Sequence, residues 1–324
     1  MLLGITMGDP AGVGPEIIVK ALAGDPALRR RCVVYGAKCI LDHYNNVFGH
    51  GLTIQAVGSP DQGDPDALRV LEPVPLAMED FEIGKVSALC GNVAFRCLEA
   101  AVKDAQAGKI GAIVTAPLNK EAMNKAGHHY DGHTGALAHL TNTPRCAMLL
   151  WTDLLKVIHV TTHVSMRQAC DMIKKDRVVQ TIELAHETLA RAGYAQPRIA
   201  VAGLNAHAGE NGLFGTEEID EIIPAVEECK AKGLCVEGPL PPDTVFLKCK
   251  NKVYDVVVAM YHDQGHIPLK LLGFQDGVNI SVGLPVLRTS VDHGTAFDIA
   301  GKGIAAEISL LEAIKVADLL SAEK

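Results

Sequence analysis

Short apolar runs rich in Val and Ile alternate along this chain with segments whose apolar residues recur at helical spacing. Leu2 to Thr6, Ile110 to Thr115, Ala147 to Trp151, Lys156 to Val160, Arg198 to Ala202 and Asp255 to Met260 read as strands. Arg177 to Ala192 carries the helical period and stops at Gly193. Thr216 to Lys232 reads as a second such helix ending at Gly233, with Glu217, Glu218 and Asp220 in the first turn, where the helix dipole favours negative charge. Cys90 and Cys97, seven apart, share one buried helix face. Gly58 to Pro75, dense in Gly, Pro and Asp, reads as irregular loop. Alternating strands and helices without an internal repeat predict an α/β protein with substantially parallel sheets.

Composition narrows this picture. A chain of 324 residues, 48% hydrophobic and 21% charged, is an ordinary globular sequence long enough for about two domains. No low-complexity linker separates two halves, so crossing strands or helices join the domains. Thirty basic residues against 38 acidic ones leave a net charge of -8. No general basic field exists to hold nucleic acid or an anionic membrane, and any anion must be met by a local cluster. The chain opens on Met1, Leu2 and Leu3 with no basic lead and has no apolar run of membrane-spanning length. A cytoplasmic protein is expected. Nine cysteines without a C-x-x-C pair fit reduced thiols better than a disulfide framework or a zinc ribbon.

The residues that follow the strands carry candidate chemistry. His163 follows one strand, His207 the next, and His262 a third. Ligands of open parallel sheets bind at the carboxyl ends of strands, so three imidazoles delivered there could share one metal and leave positions open for a substrate. Their separations of 44 and 55 residues match no local metal motif, and thirteen histidines will also place some near strand ends by chance. The turn Gly8 to Glu16 lies between a strand and a helix, yet Ile17 stands where a dinucleotide loop needs its third Gly. It reads as a tight strand-to-helix turn. Arg288, Thr289 and Ser290 precede a Gly-containing run and suit phosphate or carboxylate oxygens.

That run, Asp292 to Gly303, resembles the H-G-S-A-P-D-I-A-G-K-G loop with which isocitrate and isopropylmalate dehydrogenases hold the adenosine part of their cofactor, which points to His293, Gly294, Thr295 and Asp298. Gly8 to Glu16, Ala116 to Lys120, Gly132-His133-Thr134, Thr161-Thr162-His163, Asn205 to Glu210, Pro242-Asp243-Thr244, Tyr261 to Gly265 and Arg288 to Gly294 run in order across nearly the whole chain. Together they resemble the 4-hydroxythreonine-4-phosphate dehydrogenase family. The resemblance implies two α/β/α domains with an interdomain cleft, like isocitrate and isopropylmalate dehydrogenases. Residues 1–130 with 285–324 would form the cofactor-side domain, and 131–284 the metal, substrate and dimerisation domain. It further implies a homodimer, a nicotinamide cofactor, and one divalent metal per subunit (Zn, Co, Ni, Mn or Mg) on His163, His207 and His262. Substrate contacts carry onto His133, Thr134, Lys270, Asn279 and Arg288.

Within the family, Ala116 to Lys120, His207 to Gly215 and Tyr261 to Phe274 look closer to the 4-phospho-D-threonate branch than to the vitamin B6 branch, and Ala206 departs from the usual Pro. The expected activity is NAD-dependent oxidation of the carbon-3 hydroxyl of 4-phospho-D-threonate, or of 4-phospho-D-erythronate, to a 3-oxo acid that decarboxylates to dihydroxyacetone phosphate. Lys120, Asp243 and Asp263 are candidates for proton transfer. The alternatives are the 4-hydroxythreonine-4-phosphate dehydrogenase of pyridoxal phosphate biosynthesis, a tri-His metal hydrolase or lyase that needs no nucleotide, and a non-catalytic metabolite-binding protein.

Overall fold

The computed structural model describes residues 1–273 and 276–321. Phe274 of the branch motif and residues 322–324 of the cofactor-side domain lie outside them. The described chain divides into two compact units, residues 1–144 with 284–324 and residues 145–283. The first contains β1 (Leu3–Thr6), β2 (Cys32–Tyr35), β3 (Ile54–Ala56), β4 (Leu68–Leu71) and β5 (Ala112–Thr115). The second contains β6 (Ala147–Trp151), β7 (Lys156–His159), β8 (Ile199–Ala202), β9 (Val236–Leu240), β10 (Val256–Ala259) and β11 (Val278–Val282). The chain then returns to the first unit for β12 (Arg288–Val291).

Strands of the first unit lie in the order β3-β4-β2-β1-β5-β12, every neighbouring pair parallel. In β1, β2 and β5 every residue is buried. A parallel sheet with helices on both faces demands that, and it explains why these strands read as unbroken apolar runs rather than alternating ones. The helix Ala88–Gln106 is capped by Ser87, buries both Cys90 and Cys97, and crosses the helix Lys120–Lys125 at Gly91. A Cβ there would run into the Ala122 backbone, so glycine sets how closely these helices approach.

In the second unit the order is β11-β6-β7-β10-β8-β9. β6 is antiparallel to both its neighbours, and the remaining pairs are parallel. Leu150, Val157, Ala200, Val257 and Leu269 belong to a core cluster with Val245, Cys249 and Tyr254. Two expectations need correction. Gly58 to Pro75 contains β4, whose Arg69 is buried because its guanidinium donates to the carbonyls of Pro60, Arg30 and Cys32. Thr216 to Lys232 is not one α-helix: Glu218–Ile222 forms a wider π-turn, and the α-helix starts only at Ile223, with Pro224 in its first turn. All nine cysteines are free thiols, and burial pushes Cys97 up to about 12. Among the described residues no helix is long and apolar enough to cross a membrane.

Candidate functional site

Each unit gathers a group of chemically capable side chains. In the first, the parallel pairing of β5 and β12 sets Arg288 opposite Ile113, from where its side chain reaches Thr115. Arg288 is only 2% exposed, and its Nε and Nη2 donate to Thr115 Oγ1 at 3.1 and 2.7 Å. Burial pulls the guanidinium down to about 9, which still leaves it charged at neutral pH. His133 begins the helix His133–Leu140 after Gly132, whose φ of 142° suits only glycine. Desolvation, with the positive charges of Arg288 and Lys120, holds the His133 imidazole well below its ordinary range. It is therefore neutral. Lys120 passes close to Gly132, and Thr134 lies in the first turn of the same helix. Two cations, a neutral imidazole and hydroxyls around one helix start form a cradle suited to a multiply charged anion.

The adjoining turn Gly8 to Gly14 is the tight strand-to-helix turn expected. Asp9 donates its backbone N–H to Pro117 O, and its Oδ1 accepts from Ala11 N, each at 2.9 Å. Val13 N–H donates to Thr295 O, and a Cβ on Gly12 would stand 2.9 Å from that oxygen, so the turn packs on the loop of His293, Gly294, Thr295 and Asp298. Buried Glu16 accepts from Gly303 N and Ala305 N, while Lys20 donates to Glu16 and to the Gly303 and Ala305 carbonyls. That pair, absent from the sequence reading, fastens the far end of the loop.

In the second unit, β7, β10 and β8 are successive parallel neighbours, so their carboxyl ends open on one edge. His163, His262 and His207 follow these three strands. Thr161 donates through N and Oγ1 to Met260 O. Gln264 receives Met260 N–H at 2.6 Å and donates to Gly203 O at 2.8 Å. These two buried side chains stitch the three strand ends together. The rings of His163 and His262 lie 5.7 Å apart, and His262 stacks on His266 at 3.6 Å. His159 stands 4.8 Å from His266, fully buried, and desolvation drives it to about 3.

His207 lies on a run from His207 to Asn211 in which φ lies between 46° and 78°. Left-handed backbone costs an L-residue about 1–2 kcal/mol. The Nδ1 of His207 meets Glu210 Oε2 at 3.2 Å, and the Nδ1 of His262 meets Asp263 Oδ1 at 2.7 Å. A carboxylate on Nδ1 makes that nitrogen the N–H and leaves the lone pair on Nε2, the arrangement that orients metal-ligating histidines. The donor chemistry thus suits a divalent cation. Among the described residues, however, no three His, Cys, Asp or Glu side chains are already gathered at coordinating separation. Asp243 and Asp263 line one open groove with Tyr261, Phe246, Ile267 and Leu271. Asn279 donates to Met148 Sδ and keeps a buried Oδ1 without a hydrogen bond, and half-buried Lys270 occupies the last turn of the helix His262–Leu272.

Thr115, Gln264, His266 and Glu218 were missed as site residues. Gln264 lay inside the motif Tyr261 to Gly265 read for His262 and Asp263, with His266 one residue beyond it, and only the i, i+4 spacing of the two histidines signalled a shared helix face.

A family model described as "Pyridoxal phosphate biosynthetic protein PdxA" matches residues 28–317. The D-threonate 4-phosphate dehydrogenase of Cupriavidus necator is 52% identical over 322 residues, covering 97% of this chain and 95% of that one. The 4-hydroxythreonine-4-phosphate dehydrogenase of Trichlorobacter lovleyi is 44% identical over 330 residues, covering 99% and 98%. The crystal structure of 4-hydroxythreonine-4-phosphate dehydrogenase from Klebsiella pneumoniae matches with a TM-score of 0.90 at 50% identity over 99% of each chain. Isocitrate dehydrogenase from Methylococcus capsulatus shares the fold alone, with a TM-score of 0.51 at 15% identity over 98% of this chain and 85% of that one.

Proposed function

Because the chain belongs to the family of the pyridoxal phosphate biosynthetic protein PdxA, a dehydrogenase family by the names of its relatives, we propose that it oxidises the carbon-3 hydroxyl of 4-phospho-D-threonate. The observation that carries this reading is the cradle of Arg288, Lys120 and His133, a local cation cluster in an acidic protein. A phosphate dianion offsets the cost of burying Arg288, and neutral His133 can donate its ring N–H to it.

Thr115 aims the Arg288 fork, and Thr134 adds a hydroxyl at the helix start. Lys270 and Asn279 are further proposed substrate contacts. His163, His207 and His262 would hold one divalent cation (Zn, Co, Ni, Mn or Mg), and Asp263 and Glu210 keep Nε2 of their histidines available for it. The cation, when bound, would supply Lewis acidity at the alcohol oxygen, and the loop His293 to Asp298 would hold NAD, which would supply the hydride acceptor. The resulting 3-oxo acid loses carbon dioxide to give dihydroxyacetone phosphate. Lys120, Asp243 and Asp263 are the proposed groups to accept the hydroxyl proton and return one to carbon 2. A cytoplasmic homodimer completes this reading, in keeping with nine reduced thiols.

The second reading, oxidation of 4-phosphohydroxy-L-threonine, is favoured by the name of the Klebsiella structure. The two acids differ at carbon 2, hydroxyl against amine. A pocket built for the hydroxyl leaves an ammonium desolvated at a cost of several kcal/mol. Competition between the two acids, followed by NAD reduction with zinc or manganese added back to chelated enzyme, tests the reading. The phosphothreonate is expected to win by at least roughly tenfold in kcat/KM, about 1.4 kcal/mol. Preference for the amino acid overturns the substrate, and turnover without NAD reduction overturns the reaction class in favour of a hydrolase or lyase.

A further inference from the structure

β8 ends at Ala202, and within five residues the chain must deliver His207 on left-handed backbone. The Glu218 carboxylate, 2% exposed at the start of the π-turn, makes this possible. Its Oε1 accepts from both Leu204 N and Asn205 N at 2.8 Å, and its Oε2 accepts from Asn205 Nδ2 at 2.9 Å. Asn205 Nδ2 also donates to Glu217 Oε2 at 2.7 Å, and Asn205 O receives Ala208 N–H at 3.1 Å. The middle of the link between β8 and His207, at Leu204 and Asn205, therefore hangs on one buried carboxylate. The fit is close, since a Cβ on Gly203 would stand 3.1 Å from Oε1 and one on Gly209 2.6 Å from Oε2.

A single turn of left-handed residues has little to hold it. Phe214 N–H reaches Gly209 O and Leu213 N–H reaches Glu210 O on its far side, while on the strand side Leu240 and Gln264 hold Gly203 and only Glu218 holds the backbone N–H groups of Leu204 and Asn205. We propose that Glu218 is a positioning residue for His207: it clamps Leu204 and Asn205 so that the left-handed turn presents the imidazole in one place. This rests on the reading of His207 as a metal ligand. It moves Glu218 from the role its sequence position suggests, an acid complementing a helix dipole, to that of an acceptor-only anchor beneath a candidate ligand loop.

The test measures zinc binding alone to chelator-stripped protein, by competition titration, for wild type, Glu218→Gln, Gly209→Ala and His207→Ala. Glu218→Gln preserves shape but turns one carboxylate oxygen into an N–H donor facing another donor. Zinc affinity is expected to fall about 10–100-fold. Saturating zinc should then restore turnover of 4-phospho-D-threonate with its KM unchanged, because the anion cradle belongs to other residues. Gly209→Ala, which displaces the same carboxylate from the turn side, should weaken zinc in the same way and serves where Glu218→Gln fails to fold. Wild-type zinc affinity in folded Glu218→Gln or Gly209→Ala, alongside lost affinity in His207→Ala, overturns the positioning role alone. Wild-type affinity in His207→Ala overturns the ligand assignment on which it stands.

Discussion

Asp9 offers a direct measurement of what a buried carboxyl does to this protein. It is fully buried, its Oδ1 accepts one N–H from Ala11, and its Oδ2 has no hydrogen bond. Desolvation outweighs the Ala11 bond and raises the carboxyl from 3.8 to about 6. The folded state therefore binds this proton more tightly than the unfolded chain does. Its stabilising contribution is fully present below pH 3.8 and is lost as pH rises through about 6. At 1.36 kcal/mol per pH unit the whole window is worth about 3 kcal/mol, of which about 2 kcal/mol falls between pH 7 and 4.5. Asp9→Asn keeps an acceptor for Ala11 but cannot titrate. Urea unfolding of wild type and variant at several pH values between 4.5 and 7.5 should show the wild type gaining about 2 kcal/mol on the variant as pH falls. Parallel stability curves across that range would refute the reasoning, and a wild type that gains as pH rises would reverse its sign.

Arg288→Ala should raise KM for the phosphorylated acid by roughly 10–150-fold relative to the unphosphorylated one, the equivalent of a charge-assisted contact of about 1.5–3 kcal/mol. An unchanged ratio would place the phosphate elsewhere. His163→Ala, His207→Ala and His262→Ala should each lose metal and turnover together, and full metal occupancy by elemental analysis removes that residue from the ligand set. Gly91→Ala should destabilise the protein by about 1–3 kcal/mol, because the added methyl meets the Ala122 backbone rather than a side chain that can turn away. A thermal midpoint within one degree of wild type would show that the helices part without cost.

Several apolar strands are plain in the chain: β1, β6, β8 and β10 were each legible to within a residue or so at either end, although β2, Cys-Val-Val-Tyr, was not read. β7, which opens on Lys156, was legible too, but β4 and β12, each with a buried Arg, were not. β4 hides Arg69 among Gly, Pro and Asp, and β12 opens on Arg288, both guanidinium groups being buried only because distant backbone or hydroxyl groups receive them. The site divides in the same way. Residues named by strand ends, such as His163 and His262, follow from local pattern. Thr115 matters because a strand 173 positions later pairs beside it, and Glu218 because a turn folds back over it. No periodicity announces a left-handed run of His, Ala, Gly, Glu and Asn; only Gly209 and Asn211 there are residues that visit it routinely.

The interrupted first unit has a consequence for a chain made from its amino end. β5 is complete by residue 115, but its neighbour β12 begins only at residue 288, with the whole second unit synthesised between them. Throughout that interval β5 presents an unpaired parallel edge of Ala, Ile, Val and Thr, the kind of edge that recruits other strands. The second unit, continuous in sequence, can finish on the ribosome while the first waits. A nascent chain stalled before β12 is thus expected to expose an edge that invites aggregation.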